Sequence, residues 1–361
     1  MGFKCGIIGL PNVGKSTLFN ALTEANNAEA ANYPFATIEP NIGRVAVPDN
    51  RLQKLAQIVK SVKTIPAYMD FVDIAGLVRG ASKGEGLGNK FLAHIREVDV
   101  IVHLVRCFED ENITHVSGKI NPINDIETIT TELKLADLET LEKKKIIIEK
   151  KSKQGDTDIK EKLITIEQII NYLNNEEKKI DKNNEFINSL NLISLKPMLY
   201  VCNVDEKSII SGNKHSQIVQ NKAKEESNDV VIISASIESQ IAELENNDDK
   251  LELIKEMGLN ETTLNKLIIA GYCLLSLINF FTCGPKETRS WTIKKNTFAP
   301  EAAGKIHSDF EKGFIRAETI SYEDYIKFNG ESGSRDAGRL RQEGRDYKVI
   351  DGDVIHFLFN I

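Results

Sequence analysis

Gly9-Leu10-Pro11-Asn12-Val13-Gly14-Lys15-Ser16 has the spacing Gly-x-x-x-x-Gly-Lys-Ser, and its flanks decide the fold. It follows an apolar run, Lys4–Ile8, and opens a helical pattern, Ser16–Leu22. That strand–loop–helix context lets glycine backbone N–H groups turn inward around phosphates. The helix N-terminus adds positive potential to the same place. Lys15 is expected on the β- and γ-phosphates of a nucleoside triphosphate, and Ser16 on Mg²⁺.

Further along, Asp73-Ile74-Ala75-Gly76 closes the run Tyr68–Val72. An acid at that strand end holds Mg²⁺ through water, and the Gly76 N–H senses the γ-phosphate. Thr37, in the segment Tyr33–Pro40, is placed to close over the second Mg²⁺ position. The glycine-rich run Gly80–Gly88 reads as a segment free to rearrange.

The base is read elsewhere. A guanine clamp on this fold is Asn-Lys-x-Asp, whose Asp accepts two hydrogen bonds from the base. Here the segment is Asn203-Val204-Asp205-Glu206: Asn203 is retained, Val204 replaces the Lys, and Glu206 is one methylene too long. Lost base hydrogen bonds discriminate strongly in sites built to pair them, so adenine becomes the expected base. Ser234-Ala235-Ser236 occupies the usual base-side loop. Leu77 stands where a Gln commonly orients the attacking water, so slow intrinsic turnover is expected. Asn12 is a residue type that helps hold a monovalent cation, which makes K⁺ a second candidate cofactor. His115, in a polar loop after a strand pattern, reads either as an ordinary surface residue or as a catalytic group.

Around these motifs the chain alternates short apolar runs with helical patterns, as a parallel α/β sheet does. Expected strands are Lys4–Ile8, Arg44–Val47, Tyr68–Val72, Val100–Val105, Met198–Cys202 and Val230–Ser234. Between about 127 and 195 the strand pattern stops. Leu135, Leu138, Leu141 and Ile148, then Leu163, Ile166, Ile170 and Leu173, recur at helical spacing on either side of Gln154-Gly155-Asp156. Two antiparallel helices with an apolar seam are expected. Lys and Arg (12) nearly balance Asp and Glu (13) over 130–195, which favours two solvated faces over a dedicated basic arm. After a helical stretch, Leu264–Phe281, comes a small α+β module with strands Arg289–Lys294, Phe314–Ile320 and Val354–Phe359 and a helix Ala302–Lys312. The implied division is 1–127 with 196–279, an insertion 128–195, and 280–361.

The net charge of −7 argues against coating nucleic acid by bulk charge. Arg339, Arg341 and Arg345 could form a local patch, but ordinary solvation is the simpler reading. Five cysteines without paired short spacing suggest neither a zinc site nor a disulfide framework, and reduced thiols in the cytosol are the simple expectation. No apolar run reaches the length of a membrane span, and no signal-peptide pattern opens the chain.

Taken together, GLPNVGKSTLFNAL, FVDIAGLVRGASKGEGLGNKFL, HVSGKINPINDIETI, AAGKIHSDFEKGFIRAE and DYKVIDGDVIHFLFN resemble the YchF / Obg-like ATPase family across essentially the whole chain. The resemblance implies a P-loop NTPase domain of Obg type, inserted antiparallel coiled-coil helices and a C-terminal α+β TGS domain. It implies ATP preferred over GTP, with the nucleotide on Asn12, Val13, Gly14, Lys15, Ser16 and Thr17 and the backbone around Val204 near adenine. Mg²⁺ maps to Ser16 and Thr37. Leu77 falls in the group whose catalytic Gln is replaced by an apolar residue, and His115 matches a histidine proposed to assist hydrolysis. Implied partners are the ribosome, through its large subunit, and rRNA or tRNA at the TGS domain and a groove shared with the coiled coil. A cytoplasmic monomer linked to translation or stress responses is expected. An alternative is a nucleotide-gated docking module with incidental turnover; a further one is a conventional GTPase. One departure is Ala36, where some bacterial members carry a redox-linked cysteine.

Overall fold

The computed structural model describes residues 3–30, 42–74, 87–115, 118–152, 156–174, 180–181 and 184–360. Ala36, Thr37, Gly76, Leu77 and most of the run Gly80–Gly88 lie outside them. Twelve strands are numbered along the described residues. Those of the first sheet are β1 (Phe3–Ile8), β2 (Ile42–Ala46), β4 (Tyr68–Asp73), β5 (Val100–Arg106), β6 (Met198–Asn203) and β7 (Asp229–Ile233). β5 is buried along its whole length and β6 at all but its first residue. Strands covered on both faces need continuous rather than alternating apolar sequence, which is what these runs show.

The order is β2-β4-β1-β5-β6-β7. All pairs are parallel except β2 with β4. The register sets Ile7 level with Asp73 and Val102, Ile8 level with His103, and Asn203 level with Arg106 and Ile233. The C-terminal ends of β1, β4, β5, β6 and β7 therefore emerge along one edge. The phosphate loop, Asp73, the 107–115 loop, Val204–Glu206 and Ser234 all follow from those ends. This is the edge at which open α/β sheets bind ligands.

The long helix Pro122–Ser152 is rooted in this domain. Ile129, Leu133 and Ala136 join its main core and Ile126 a second one. Asp137, fully buried, fixes the root by accepting from the Ile193 and Ser194 backbone N–H groups and from the Ser194 hydroxyl. Farther out, Leu138, Leu141 and Ile148 meet Ile166, Ile169, Ile170 and Leu173 of the helix Thr157–Leu173. The expected seam thus forms, except that Leu135 is left 39% exposed and Leu163 does not join the packed cluster.

A second sheet has the order β11-β10-β12-β8-β9-β3, where β3 is Lys63–Ile65, β8 Leu277–Cys283, β9 Glu287–Lys294, β10 Phe314–Ile320, β11 Arg341–Glu343 and β12 Val354–Phe359. Two expectations change here. The helical stretch Leu264–Phe281 is in fact a helix, Thr263–Leu274, followed by β8. Ser276 at φ 52 turns the chain, and β8 then pairs with β9 from Leu277 to Cys283. The apolar sequence there cannot by itself separate a buried helix from a buried strand. The expected helix Ala302–Lys312 is two helices, Ala299–Ile306 and Ser308–Lys312, broken at His307, whose backbone is extended. Its imidazole Nδ1 accepts from the Asp309 N–H and caps the second helix.

β3 had no strand signal in the sequence and pairs in parallel with β9. The helix Asn50–Val59 just before it supplies Leu52 and Leu55 to a core shared with Phe281, Ile320, Tyr325 and Val354. Arg51 bonds both Asp49 and Asp351. Residues between the edge strand β2 and β4 thus belong physically to the second sheet.

Candidate functional site

The phosphate loop is shaped by its own backbone. Gly14 has φ +96, and a Cβ there would meet the Asn203 amide nitrogen at 2.5 Å. A Cβ on Gly9 would meet the Leu104 carbonyl oxygen at 2.6 Å. Both positions therefore require glycine for close approach, and Gly14 also for its backbone angle. Asn12 adopts φ 62, an angle that Asn tolerates better than most residues. Val13 is buried, whereas Asn12, Ser16 and Thr17 are exposed at the mouth of the loop.

Lys15 curls over the loop, its ammonium donating to the Gly9 carbonyl at 3.1 Å and the Leu10 carbonyl at 3.0 Å. Burial lowers its pKa, and Asp73 works against that by favouring the cation. Asp73 is shifted up by burial, with Lys15 opposing. Its Oδ1 is buried without a hydrogen-bond partner among the described residues. A buried carboxylate oxygen with no donor is costly unless something completes it. A hydrated divalent cation fits that need, and the exposed Ser16 hydroxyl in the first helical turn is a suitable direct ligand. Among the described residues no three His, Cys, Asp or Glu side chains converge on a metal position. Asp73 and the Ser16 hydroxyl are oxygen donors of the kind Mg²⁺ takes, few from the protein and the rest from nucleotide phosphates.

Beneath the loop, His103 of β5 is fully buried and stays neutral, its pKa driven down to about 3 by burial and by Lys15.

Asn203 ties the phosphate loop to the base-side loops. Its Nδ2 donates to the Val13 carbonyl at 2.9 Å, and its Oδ1 accepts from the Ala235 N–H at 2.9 Å. Val204 is buried and its N–H donates to the Ile233 carbonyl at 2.9 Å. Glu206 is exposed, and one carboxylate oxygen accepts from Ser236 and from Gln240. Ser234 is fully buried with an unpartnered hydroxyl among the described residues. Asn12, Lys15, Asn203, Val204, Glu206 and Ser234 thus share one edge, and the geometry gives Asn203 a second role as a clip.

Asn12 has a role that its loop position does not reveal. Its Nδ2 donates to the Thr114 carbonyl at 3.1 Å, so the phosphate loop is bonded to the residue before His115. His115 is 8% exposed, with Nε2 3.0 Å from Asp125 Oδ2. Burial raises the Asp125 pKa, and the pairing with His115 opposes the rise. The loop that carries His115 is folded around Arg106, also buried, whose guanidinium donates to the carbonyls of Phe108, Ile113 and Asp110. Arg106 also lies 4.6 Å from the centre of the Phe108 ring. Asp125 and Arg106 escaped the sequence reading. Asp125 looks like an acid in the first turn of a helix, and Arg106 like the polar end of a strand. Only the pairing shows what they do.

Known proteins resemble the chain on the same lines. Residues 277–360 match the YchF-GTPase_C family, described as a protein of unknown function, and residues 4–148 match a family described as 50S ribosome-binding GTPase. A relative from Escherichia coli O157:H7, named ribosome-binding ATPase YchF, is 54% identical over the full length of both chains. One of the same name from Bacillus subtilis is 51% identical, again over both full lengths.

The chain belongs to the YchF family.

The solved structure of a YchF GTPase from Schizosaccharomyces pombe superposes with a TM-score of 0.89 at 38% identity, covering 99% of this chain and 98% of that one. The YchF likeness therefore extends through the nucleotide site, the helical pair and the second sheet. The C-terminal YchF match begins at Leu277, the first residue of β8.

Proposed function

We propose that the protein is a Mg²⁺-dependent P-loop ATPase that cleaves ATP to ADP and phosphate and works as a ribosome-associated nucleotide switch in the cytoplasm. The names of its relatives differ on the base, ATPase for the bacterial proteins and GTPase for the fission-yeast structure. One observation favours adenine: the acid at the guanine-reading position is Glu206, and it is already engaged by Ser236 and Gln240. Competition between ADP and GDP for the Mg²⁺-loaded protein tests this, and stronger binding of GDP would overturn it.

In this reading Lys15 neutralises the β- and γ-phosphates, and the backbone of Asn12–Thr17 cradles them. Ser16, Thr37 and, through water, Asp73 would hold Mg²⁺, which supplies charge neutralisation at the phosphates when bound. Asn203, Val204 and Ser234 wall the base side. His115 is the candidate to polarise the attacking water in place of the group that Leu77 lacks. What supports it is the Asn12–Thr114 bond, which ties its loop to the phosphate loop, and the Asp125 carboxylate, which fixes its ring. A K⁺ ion beside Asn12 is a further proposal; with Nδ2 on Thr114, the side-chain oxygen is the candidate donor.

The domain division 1–127 with 196–279, 128–195 and 280–361 is proposed with one amendment. The segment from Asp49 to Ile65 works with the C-terminal TGS domain, as its bonds and shared core indicate. The large ribosomal subunit, with rRNA or tRNA against the TGS domain, is the proposed partner, and the working unit is a monomer. Among the described residues no helix is long and apolar enough to cross a membrane. Leu77, where a Gln commonly orients the attacking water, favours slow turnover, so a docking module with incidental hydrolysis stays a second reading. Phosphate release with and without ribosomes separates the two: no stimulation would favour docking alone.

A further inference from the structure

The helix Ala235–Glu243 starts directly at the base-side loop. Ser236 and Gln240 lie one turn apart on it and both face Glu206. The Ser236 hydroxyl donates to Glu206 Oε1 at 3.3 Å, and the Gln240 amide donates to the same oxygen at 3.3 Å. Gln240 also donates to the Ser236 hydroxyl at 3.4 Å, so the three side chains close a triangle. The two loops cannot simply drift apart, because Asn203 Oδ1 holds the Ala235 N–H and the Val204 N–H holds the Ile233 carbonyl.

A carboxylate that reads guanine takes two donors from the base, the N1–H and the exocyclic amino group. Here the protein offers its own two donors to the acid at that position. We propose that Ser236 and Gln240 are positioning residues for nucleotide specificity, holding Glu206 across the gap between its loop and the helix so that guanine finds its acceptor already occupied. Adenine has no N1–H to offer that carboxylate, whereas guanine bonds both carboxylate oxygens and must take Oε1 from the two side chains. The proposal rests on the reading of Asn203–Glu206 as the base loop. It differs from the simpler view that Glu206 is merely too long. If length alone excluded guanine, releasing the carboxylate would gain nothing.

The test is displacement of a fluorescent ADP analogue by ADP, GDP and IDP on the full chain with Mg²⁺, for wild type, S236A/Q240A and Q240E. Both positions are exposed, so the fold is retained, and Q240E keeps the bulk while repelling Glu206. Exposed, long hydrogen bonds are modest even when a carboxylate accepts them, so the preference for ADP over GDP is expected to fall about tenfold in S236A/Q240A, and by a smaller factor in Q240E. IDP keeps the N1–H but lacks the amino group, and should gain less than GDP. A purely structural role would weaken all three nucleotides alike. An unchanged ADP:GDP ratio in both variants, or parallel losses, overturns the proposal. A wild-type protein that favours GDP would instead overturn the base assignment itself.

Discussion

Replacing Asn203 by alanine removes two bonds from the buried clip between the phosphate loop and the helix Ala235–Glu243. Asn203 is 4% exposed, and its partners at Val13 and Ala235 are buried too. Water cannot readily replace the lost amide, so the Val13 carbonyl and the Ala235 N–H are both left unsatisfied. Each such group costs about 1–3 kcal/mol. Partial relaxation at the loop mouth brings the sum to about 2–4 kcal/mol rather than the full total. For a domain of this size that lowers Tm by about 5–10 °C. The loop itself should also loosen, because Gly14 packs against the Asn203 amide, so nucleotide affinity should fall together with stability. Asn203→Asp is the sharper control. It keeps an acceptor for Ala235 but sets a carboxylate against the Val13 carbonyl, and should therefore weaken nucleotide binding at least as much as alanine does. Thermal unfolding with and without ADP, and direct ADP titration, read both effects. A Tm within 1 °C or so of wild type with unchanged ADP affinity would refute the clip, since changes free of buried, specific contacts usually stay within about 0.5 kcal/mol.

Lys15→Ala should lower phosphate release by at least about 100-fold, the scale of removing one charge-stabilising donor from a preorganised site; a near-normal rate would dismiss the site. Asp73→Asn should raise the Tm of the nucleotide-free protein at neutral pH while abolishing Mg²⁺-dependent turnover. The sign follows from its raised pKa: folding penalises the ionised form, the penalty is complete above the folded pKa, and it is relieved as pH falls towards the unfolded value. The gap between variant and wild type should therefore close on acidification, and a gap that widens would contradict the assignment. His115→Asn should cut kcat about 100-fold with little change in ADP affinity, the lower end of general acid–base effects; equal losses in binding would mark it as purely structural. Phosphate release measured in potassium and then sodium buffers tests the cation beside Asn12, and equal rates would remove it.

How legible the molecule was depends on the range of the interaction. The phosphate loop was readable because its requirements are local: a glycine at φ +96, a lysine next to it and a helix start immediately after. The central strands were readable because burial on both faces leaves an uninterrupted apolar run. β8 was not, because Leu277–Cys283 is equally apolar as helix or strand and only its pairing with β9 decides. β3 was invisible for the opposite reason. Lys63-Thr64-Ile65 has no strong strand signal of its own and takes its form from β9, more than 200 residues away in sequence.

The site divides in the same way, and the division bears on its mechanism. Residue types pointed to a triphosphate, a Mg²⁺ ion and a lost guanine clamp. They were silent on what holds these parts in one frame, which is done by contacts between strand ends distant in sequence. Asn203 joins the loop after β1 to the loop after β7, and Asn12 joins it to the loop after β5. The phosphate loop is thus bonded to the base side and to the His115 side through separate side chains. A triphosphate that displaces Lys15 from the Gly9 and Leu10 carbonyls acts on a loop whose two neighbours are already attached to it. Loss of Asn203 should then be felt mainly in base discrimination and affinity, and loss of Asn12 mainly in turnover. A double variant whose defects fail to separate along those lines would show that the loop moves as one body with both sides.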